Sequence, residues 1–361
     1  MRLPPRDSRL TTIVVGGLAL FSSGAAWLPS PYGVTIIAVL LLAIVLLLAN
    51  AFILKIPFFA YDRILSAVSN SDGLEWRREA GVRLDVGGIH GSCQVYYPDV
   101  VDLHGGGYRL YYRAGGEDAF IGSAHSTDGL NWREEPGIRV DRGGKYGFSR
   151  VESCDVLGLE DGEWRMYFSA FDGDFWSIYR CESGDGLQWG DAVLCVEATK
   201  DIDLPNVKAP TVVQTEFGWR MYYMRSSQHR VEIYTSFSAD GKNWQEGRSC
   251  TGICYEGSVA RNPHVRRLVG GALQMYFSDR VGPESTALGA CIRSARSADG
   301  IHWQREPGIR IGPGEYYDRH GVFSVDFLQT SQGLRMYYTG YWGQHWLEPL
   351  TLLQYGKSLL I

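Results

Sequence analysis

The pattern of apolar and polar positions repeats along the chain, and each repeat contains a segment in which polar and aromatic residues alternate. This segment occurs at 109–112, 165–168, 220–223, 274–277 and 335–338. Alternation with a period of two is typical of a β-strand that buries one face. A shorter apolar segment precedes each copy, at 98–101, 154–156, 210–213, 263–265 and 323–326. The pattern therefore predicts five units that each begin with two paired strands.

A second motif, Asp-Gly-x-x-Trp, ends each unit. Its aspartates are Asp72, Asp128, Asp185, Asp240 and Asp299, and they are spaced 55 to 59 residues apart. An Asp-Gly pair favours a tight turn, and the tryptophan can pack that turn against neighbouring strands. We therefore interpret these aspartates as turn residues of a repeat architecture.

Two strands before the turn, a third strand leading into it and a short fourth strand after it make a four-stranded antiparallel unit. Five such units predict an all-β fold, a five-bladed β-propeller. The chain opens with outer-strand sequence and closes with the inner strands of the last unit. We expect the N-terminal segment to dock on the C-terminal blade, because this closes the ring and removes free sheet edges. Residues 351–358 also resemble a third strand, so the contribution of each end stays open at this stage.

The N-terminal region has a different pattern, with no charged residue and no histidine between Arg9 and Lys55. Residues 10–28 and 32–54 form two apolar stretches, and each is close to the ~20 residues that a helix needs to span a bilayer. Pro29 and Pro31 interrupt them. We predict a membrane anchor over residues 1–56, built as a transmembrane helical hairpin, and a propeller domain over residues 57–361. The alternative for the first stretch is a cleaved signal sequence.

The positive charges predict the topology of this anchor. Arg2, Arg6 and Arg9 precede the hairpin and Lys55 follows it, whereas the connecting turn carries no charge. The positive-inside rule then gives a two-pass protein of the inner (cytoplasmic) membrane, with the propeller on the cytoplasmic face. Cleavage of the first stretch would instead place the propeller outside.

Composition excludes several classes of partner and cofactor. The net charge of −5 and the lack of basic runs argue against nucleic acid. The seven cysteines are an odd number and scattered, which does not suggest a disulfide framework. Cys250 and Cys254 have no second pair nearby, so we predict no metal site and no cofactor. The sequence does not indicate an oligomeric state.

Candidate chemistry lies at the start of the inner strands, because these strands converge on the axis of a propeller and line a funnel. The polar residues at these positions are Tyr97, Asp99, Glu152, Asp155, Lys208, Arg261, Asn262, His264 and Asp326. Asp99 and Asp155 occupy equivalent positions, so a structural role in every blade is an alternative for both. His264 could equally be a hydrogen-bonded core histidine. Lys208 and Arg261 favour an anionic substrate.

These motifs together resemble those of the five-bladed glycosidase propellers: arabinanases, xylosidases, levansucrases, invertases and the related mannoside phosphorylases. The resemblance covers residues 60 to 361. It implies three funnel carboxylates, namely a base or nucleophile before the first-blade proline, an orienting second-blade aspartate and a third-blade glutamate as acid. This chain departs from that pattern, since the first position holds Tyr97 and the third holds Lys208. The second blade offers Glu152 and Asp155.

Glycoside cleavage normally needs two carboxyl groups, one with a raised pKa. We therefore expect glycosyl cleavage or transfer on a carbohydrate or a sugar-containing lipid at the bilayer, with Asp99 as base or nucleophile and Glu152 or Asp155 as its partner. The remaining six candidates would bind the substrate: Tyr97, Lys208, Arg261, Asn262, His264 and Asp326. Two alternatives remain, a non-catalytic glycan-binding or scaffold propeller and an enzyme with non-glycosidic chemistry on a membrane-soluble metabolite.

Overall fold

Five antiparallel sheets of four strands make up the described part of the chain. The computed structural model describes residues 61–69, 73–92, 94–115, 119–143, 146–199, 203–227, 230–254, 258–279, 289–314 and 316–342. The predicted five-bladed, all-β propeller is confirmed, and so is the short fourth strand of each blade.

Each blade is described from its inner to its outer strand. The first described strands are β1 (Tyr61–Ser69) and β2 (Arg77–Arg78). Blade 1 contains β3 (Val95–Asp102), β4 (Tyr108–Ala114), β5 (Phe120–Ser126) and β6 (Arg133–Glu134). Blade 2 contains β7 (Arg150–Gly158), β8 (Trp164–Phe171), β9 (Trp176–Ser183) and β10 (Val193–Val196). Blade 3 contains β11 (Asn206–Thr215), β12 (Gly218–Ser226), β13 (Val231–Ser238) and β14 (Arg248–Ser249). Blade 4 contains β15 (Arg261–Arg267), β16 (Leu273–Asp279), β17 (Cys291–Ser297) and β18 (Gln304–Arg305). The last described strands are β19 (Gly321–Thr330) and β20 (Gly333–Trp342).

The first two and the last two described strands build blade 5 together, in the order β19-β20-β1-β2. Strand β1 pairs with β20 along its whole length, from Tyr61 opposite Trp342 to Ser69 opposite Leu334. The predicted docking of the N-terminal segment on the C-terminal blade is therefore confirmed, and β1 supplies the third strand. Residues 351–358, the other candidate for that strand, lie outside the described residues.

The Asp-Gly turns fasten each blade to the one before it. In blade 2 the Tyr111 hydroxyl of blade 1 donates to the Gly186 carbonyl over 2.8 Å. Trp189 of the same turn packs edge-on against the Tyr111 ring, with centroids 6.0 Å apart. The equivalent tyrosines of the other blades bond the equivalent glycine carbonyls, so the contact repeats around the ring. The predicted role of these turns is confirmed.

In the four turns whose aspartate is described, the aspartate holds the turn itself. Asp128 Oδ1 accepts the backbone N–H groups of Leu130 and Asn131, both over 2.8 Å. These bonds, first among them that from Asn131, lower the pKa of Asp128 below its ordinary value. The carboxylate is therefore committed to turn geometry at the outside of the molecule.

The inner strands share an irregularity that shapes the axis. Their pairing with the second strand shifts by a residue near the start of the strand in every blade. Four non-glycine residues take left-handed φ values there, between 49° and 55°: Tyr97, Ala209, Asn262 and Ser324. Such bulges redirect side chains and are common beside functional sites.

The predicted transmembrane helices over residues 10–28 and 32–54 lie outside the described residues. Within the part of the chain that is described, no helix is long and apolar enough to cross a membrane. The membrane anchor stays a prediction from the sequence.

Candidate functional site

A ring of five side chains at equivalent positions of the inner strands joins the blades around the axis. We call it the floor ring, and it consists of Asp99, Asp155, Thr211, His264 and Asp326. Asp99 Oδ2 accepts the N–H of Val156 over 3.0 Å, and Asp155 Oδ2 accepts that of Val212 over 3.0 Å. Each residue thus contacts the following blade.

The rest of the floor ring follows the same rule. Thr211 Oγ1 accepts the N–H of Val265 over 3.5 Å, and His264 Nε2 lies 3.1 Å from Asp326 Oδ1. Asp326 Oδ2 in turn accepts the N–H of Val100, which closes the ring between blades 5 and 1. The structural alternative stated for Asp99 and Asp155 is thus supported by their contacts, and Asp326 shares this role.

Burial changes the protonation of the floor ring. Asp99, Asp155 and Asp326 are each 5% exposed. Burial raises the pKa of Asp326 to about 7. Burial and the neighbouring carboxyls raise the pKa values of Asp99 and Asp155 well above the ordinary range. Burial lowers the pKa of His264 to about 3, so its imidazole is neutral at pH 7. The buried floor-ring carboxyls therefore keep their protons to a higher pH than exposed carboxyls do.

The floor ring leaves little space at the axis. The cavity there has a volume of about 20 Å³, and its lining includes Tyr97, Ser153, Ala209, Asn262 and Ser324 together with floor-ring residues. One water molecule needs about 10–15 Å³ by this measure, so the cavity has room for water but not for a sugar ring. A carbohydrate could therefore contact the funnel only above this level.

A second ring lies three residues before the floor ring in each blade. We call it the rim, and it consists of Tyr96, Glu152, Lys208, Arg261 and Phe323. All five are at least partly exposed, whereas the floor-ring carboxylates are buried. The rim is thus the part of the inner strands that a large ligand can reach.

The half of the rim in blades 2, 3 and 4 is charged. Lys208 Nζ lies 3.2 Å from Glu152 Oε2, and the same ammonium lies 4.7 Å from the centroid of the Trp176 ring. Arg261 is exposed at the start of β15. The resemblance to the glycosidase propellers implies a catalytic acid at the position that Lys208 occupies. Here this position carries a cation that neutralises the neighbouring glutamate.

The half of the rim in blades 5 and 1 is aromatic. The rings of Tyr96 and Tyr97 are 4.9 Å apart, and Phe323 lies 6.3 Å from Tyr96 and 6.0 Å from Tyr97. Arg113 stacks on the Tyr96 ring, with its guanidinium carbon 4.3 Å from the ring centroid. Packed rings of this kind form a rigid surface with an apolar face.

The structure brings all nine predicted residues to the axis, where they lie in the floor ring, in the rim or between the two. Asp99, Asp155, His264 and Asp326 belong to the floor ring, and Glu152, Lys208 and Arg261 belong to the rim. Tyr97 and Asn262 lie between, at left-handed positions that line the cavity. The roles assigned to these residues stay predictions.

Sequence reasoning missed Tyr96 and Phe323 at the rim. A signal was present, because both stand three residues before a floor-ring aspartate, as Glu152 does. It also missed Asp62 on β1, which is 5% exposed and accepts a hydrogen bond from Gln94 Nε2 over 3.0 Å. Burial raises the pKa of Asp62 to about 7. The sequence carried no signal for Asp62, since only the pairing of β1 with β20 places it beside Gln94.

Among the described residues, no cluster of three or more His, Cys, Asp or Glu side chains could hold a metal ion. The described side chains of the funnel supply carboxyl groups, cations and aromatic rings.

Comparisons with known proteins give similarity in structure only. No family model matches the sequence, and no curated protein does. The chain is similar in structure to an N-acetylgalactosamine deacetylase from F. plautii in complex with blood group B trisaccharide, with 17% identity and a TM-score of 0.57 over 76% of this chain and 85% of that one. It is also similar to an endo-arabinase from Bacteroides thetaiotaomicron, with 15% identity and a TM-score of 0.52 over 70% of this chain and 94% of that one.

An α-L-arabinofuranosidase from Lactobacillus brevis gives a similar result, with 14% identity and a TM-score of 0.53 over 66% of this chain and 80% of that one. Identities at this level establish the fold and leave the chemistry open, since one fold hosts several activities. The resemblance seen in the sequence is confirmed at that level: the chain has the five-bladed propeller fold of the arabinanase-like glycoside hydrolases.

Proposed function

We propose that this propeller binds a carbohydrate, and that the ligand lies across the rim of the funnel. The observation that carries the proposal is the division of the rim into an aromatic half and a charged half above a closed floor. Carbohydrates present both apolar C–H faces and hydroxyl groups, so they need ring surfaces and polar partners in one site. The fold adds support, because the arabinanase and arabinofuranosidase with this fold are named for carbohydrate substrates.

The test is direct binding by the full-length chain to an array of plant, bacterial and animal glycans. The expected result is saturable binding to a structurally related group of glycans. A Tyr96→Ala variant should weaken this binding, whereas Tyr316→Ala should not, since Tyr316 is exposed outside the rim. Absence of binding to every glycan, by a chain shown to be folded, would overturn the proposal.

A second candidate function is glycosyl cleavage or transfer, and the three floor-ring carboxyls with raised pKa values favour it. A carboxyl that is protonated at neutral pH can serve as an acid. Against it, the floor-ring carboxyls are bound to backbone N–H groups, and the only carboxylate on the rim is Glu152. The polar floor does not favour the alternative of a membrane-soluble apolar metabolite.

Product formation from the glycans that bind tests this candidate. Glu152→Gln and Asp99→Asn are assayed beside the wild type, together with phosphorolysis conditions. Turnover that either substitution abolishes would establish the enzyme and locate its carboxylates. Binding without turnover would leave the glycan-binding function and remove the catalytic one.

We further propose that residues 10–28 and 32–54 tether the propeller to a bilayer, with the propeller on the cytoplasmic face. The support is the apolar pattern and the distribution of arginines described above. In this setting the ligand would be a membrane-associated polysaccharide or a sugar-containing lipid. A membrane-impermeant maleimide tests the topology at Cys254, which is exposed. Labelling only after cell lysis is expected, and labelling in intact cells would contradict the cytoplasmic location.

A further inference from the structure

The two cations of the rim differ in their surroundings. Lys208 has a partner, because its ammonium lies 3.2 Å from Glu152 and 4.7 Å from the Trp176 ring centroid. The charge of this residue is therefore largely compensated within the protein. The same ion pair compensates the negative charge of Glu152.

Arg261 has no such partner in the described part of the chain. Its side chain is exposed, and none of the described carboxylates lies within 4.0 Å of its guanidinium. With two cations and one carboxylate, the rim carries one uncompensated positive charge, and this charge is on Arg261. Nearby arginines differ, since Arg113 and Arg225 donate to backbone carbonyls and stack on aromatic rings.

The position of Arg261 places this charge over the funnel. Arg261 begins β15 and stands three residues before His264 of the floor ring. Glu152 and Lys208 hold the equivalent positions in blades 2 and 3. Because the floor ring surrounds the axis, these rim positions surround the mouth of the funnel. The guanidinium is thus available to a ligand that rests on the aromatic half of the rim.

We infer that the ligand is an acidic carbohydrate and that Arg261 binds its anionic group, a carboxylate, sulfate or phosphate. This inference rests on the proposed carbohydrate-binding function and names its substrate class. A guanidinium presents paired N–H donors that match the oxygens of such groups. Tyr96, Tyr97 and Phe323 would contact the sugar ring, and the Glu152–Lys208 pair would contact hydroxyl groups.

The test compares matched glycans on the full-length chain. Each acidic oligosaccharide is paired with a neutral counterpart, such as an oligogalacturonide and its methyl ester, and inorganic phosphate and sulfate are titrated alone. The expected result is binding of acidic members that weakens with added salt. Arg261→Gln should reduce their affinity about 10- to 100-fold, as expected for a lost charge-assisted hydrogen bond. The control is Arg267→Gln, which removes the same charge from an exposed arginine at the other end of β15.

The outcomes separate this inference from the function on which it rests. Equal binding of neutral and acidic glycans, unaffected by Arg261→Gln, would overturn the inference and keep the carbohydrate-binding function. Equal effects of the Arg261 and Arg267 substitutions would also overturn it, because the effect would then be one of net charge. Binding of inorganic anions as tightly as of acidic glycans would reduce the site to a simple anion site. Failure to bind any glycan would overturn both.

Discussion

Gly186 illustrates how closely neighbouring blades approach at single residues. Its φ is +69°, and a Cβ there would lie 2.6 Å from Arg109 Nη1 and 2.7 Å from the Tyr111 hydroxyl. Gly186→Ala therefore adds left-handed strain and steric overlap, and we expect a loss of about 2–4 kcal/mol in the free energy of unfolding. Urea denaturation measures this loss.

Gly162→Ala is the matched control. Its φ is +85°, but no heavy atom lies within 4 Å of the added Cβ, so only the backbone strain applies. The expected loss is about 1 kcal/mol. Equal losses for the two variants would show that the contact between blades contributes nothing.

Single residues were predictable from sequence where their role is local. The Asp-Gly turns depend on bonds within a few residues, so Asp128 and its equivalents could be assigned from the motif alone. Asp99 could be aligned with Asp155, but its hydrogen bond reaches Val156 in the next blade. That partner depends on the closed ring, which a local pattern does not specify.

Strand β1 closes the ring of blades, because it pairs with β20 in blade 5. It lies between β20 and β2, and Ile64 at its centre is fully buried. We expect Ile64→Ala to lower the free energy of unfolding by about 2–5 kcal/mol, because it leaves a cavity where the first and last described strands meet. Ile138→Ala is the control, since that side chain is 45% exposed and should change stability by about 0.5 kcal/mol or less. Similar losses would contradict the role given to β1.

Elements were predictable where their pattern repeats. The alternating aromatic segments gave the second strands, and the order of motifs gave the docking of the N-terminal segment. The sequence left open whether β1 or residues 351–358 would supply the third strand, because both have strand-like patterns. The left-handed residues of the inner strands were also missed, since Tyr97 and Ala209 are residue types that rarely adopt that conformation.

The floor ring links the stability of the whole propeller to pH. The pKa of Asp326 is about 7 in the folded state, against an ordinary value of 3.8, so the folded state holds the proton more tightly. Its contribution to stability is present below about pH 4 and is lost as the pH rises to about 7. Asp62 acts in the same direction, whereas His264, with a pKa of about 3, acts in the opposite direction between about pH 3 and 6.5.

The difference between wild type and Asp326→Asn measures this effect together with the lowering of the Asp99 and Asp155 pKa values, which the Asp326 charge raises in the wild type. The variant should gain stability relative to the wild type as the pH rises from about 4 to about 7, measured by urea denaturation. Asp128→Asn is the control, because the lowered pKa of Asp128 confines its effect to acidic pH. A constant difference between wild type and Asp326→Asn across this range would contradict the raised pKa.

For the whole molecule, repetition predicts architecture well and function poorly. Five four-stranded antiparallel units of nearly equal length predict a closed ring of blades, so the fold followed from the sequence. The candidate site consists of rim residues that differ from blade to blade at equivalent positions. The charge and the surroundings of these residues depend on contacts between blades. Glu152 and Lys208 are 56 residues apart in sequence, and their ion pair became visible only in three dimensions.

The most direct test of the account is glycan binding by a pair of phenylalanine variants. Phe323 lies in the aromatic half of the rim, and Phe217 is 81% exposed in the turn between β11 and β12. With a glycan identified on the array, Phe323→Ala should reduce affinity about tenfold or more at an unchanged melting temperature, since it removes a ring from the contact surface. Phe217→Ala should leave affinity unchanged. Full affinity in Phe323→Ala, or equal losses in both variants, would contradict binding across the rim.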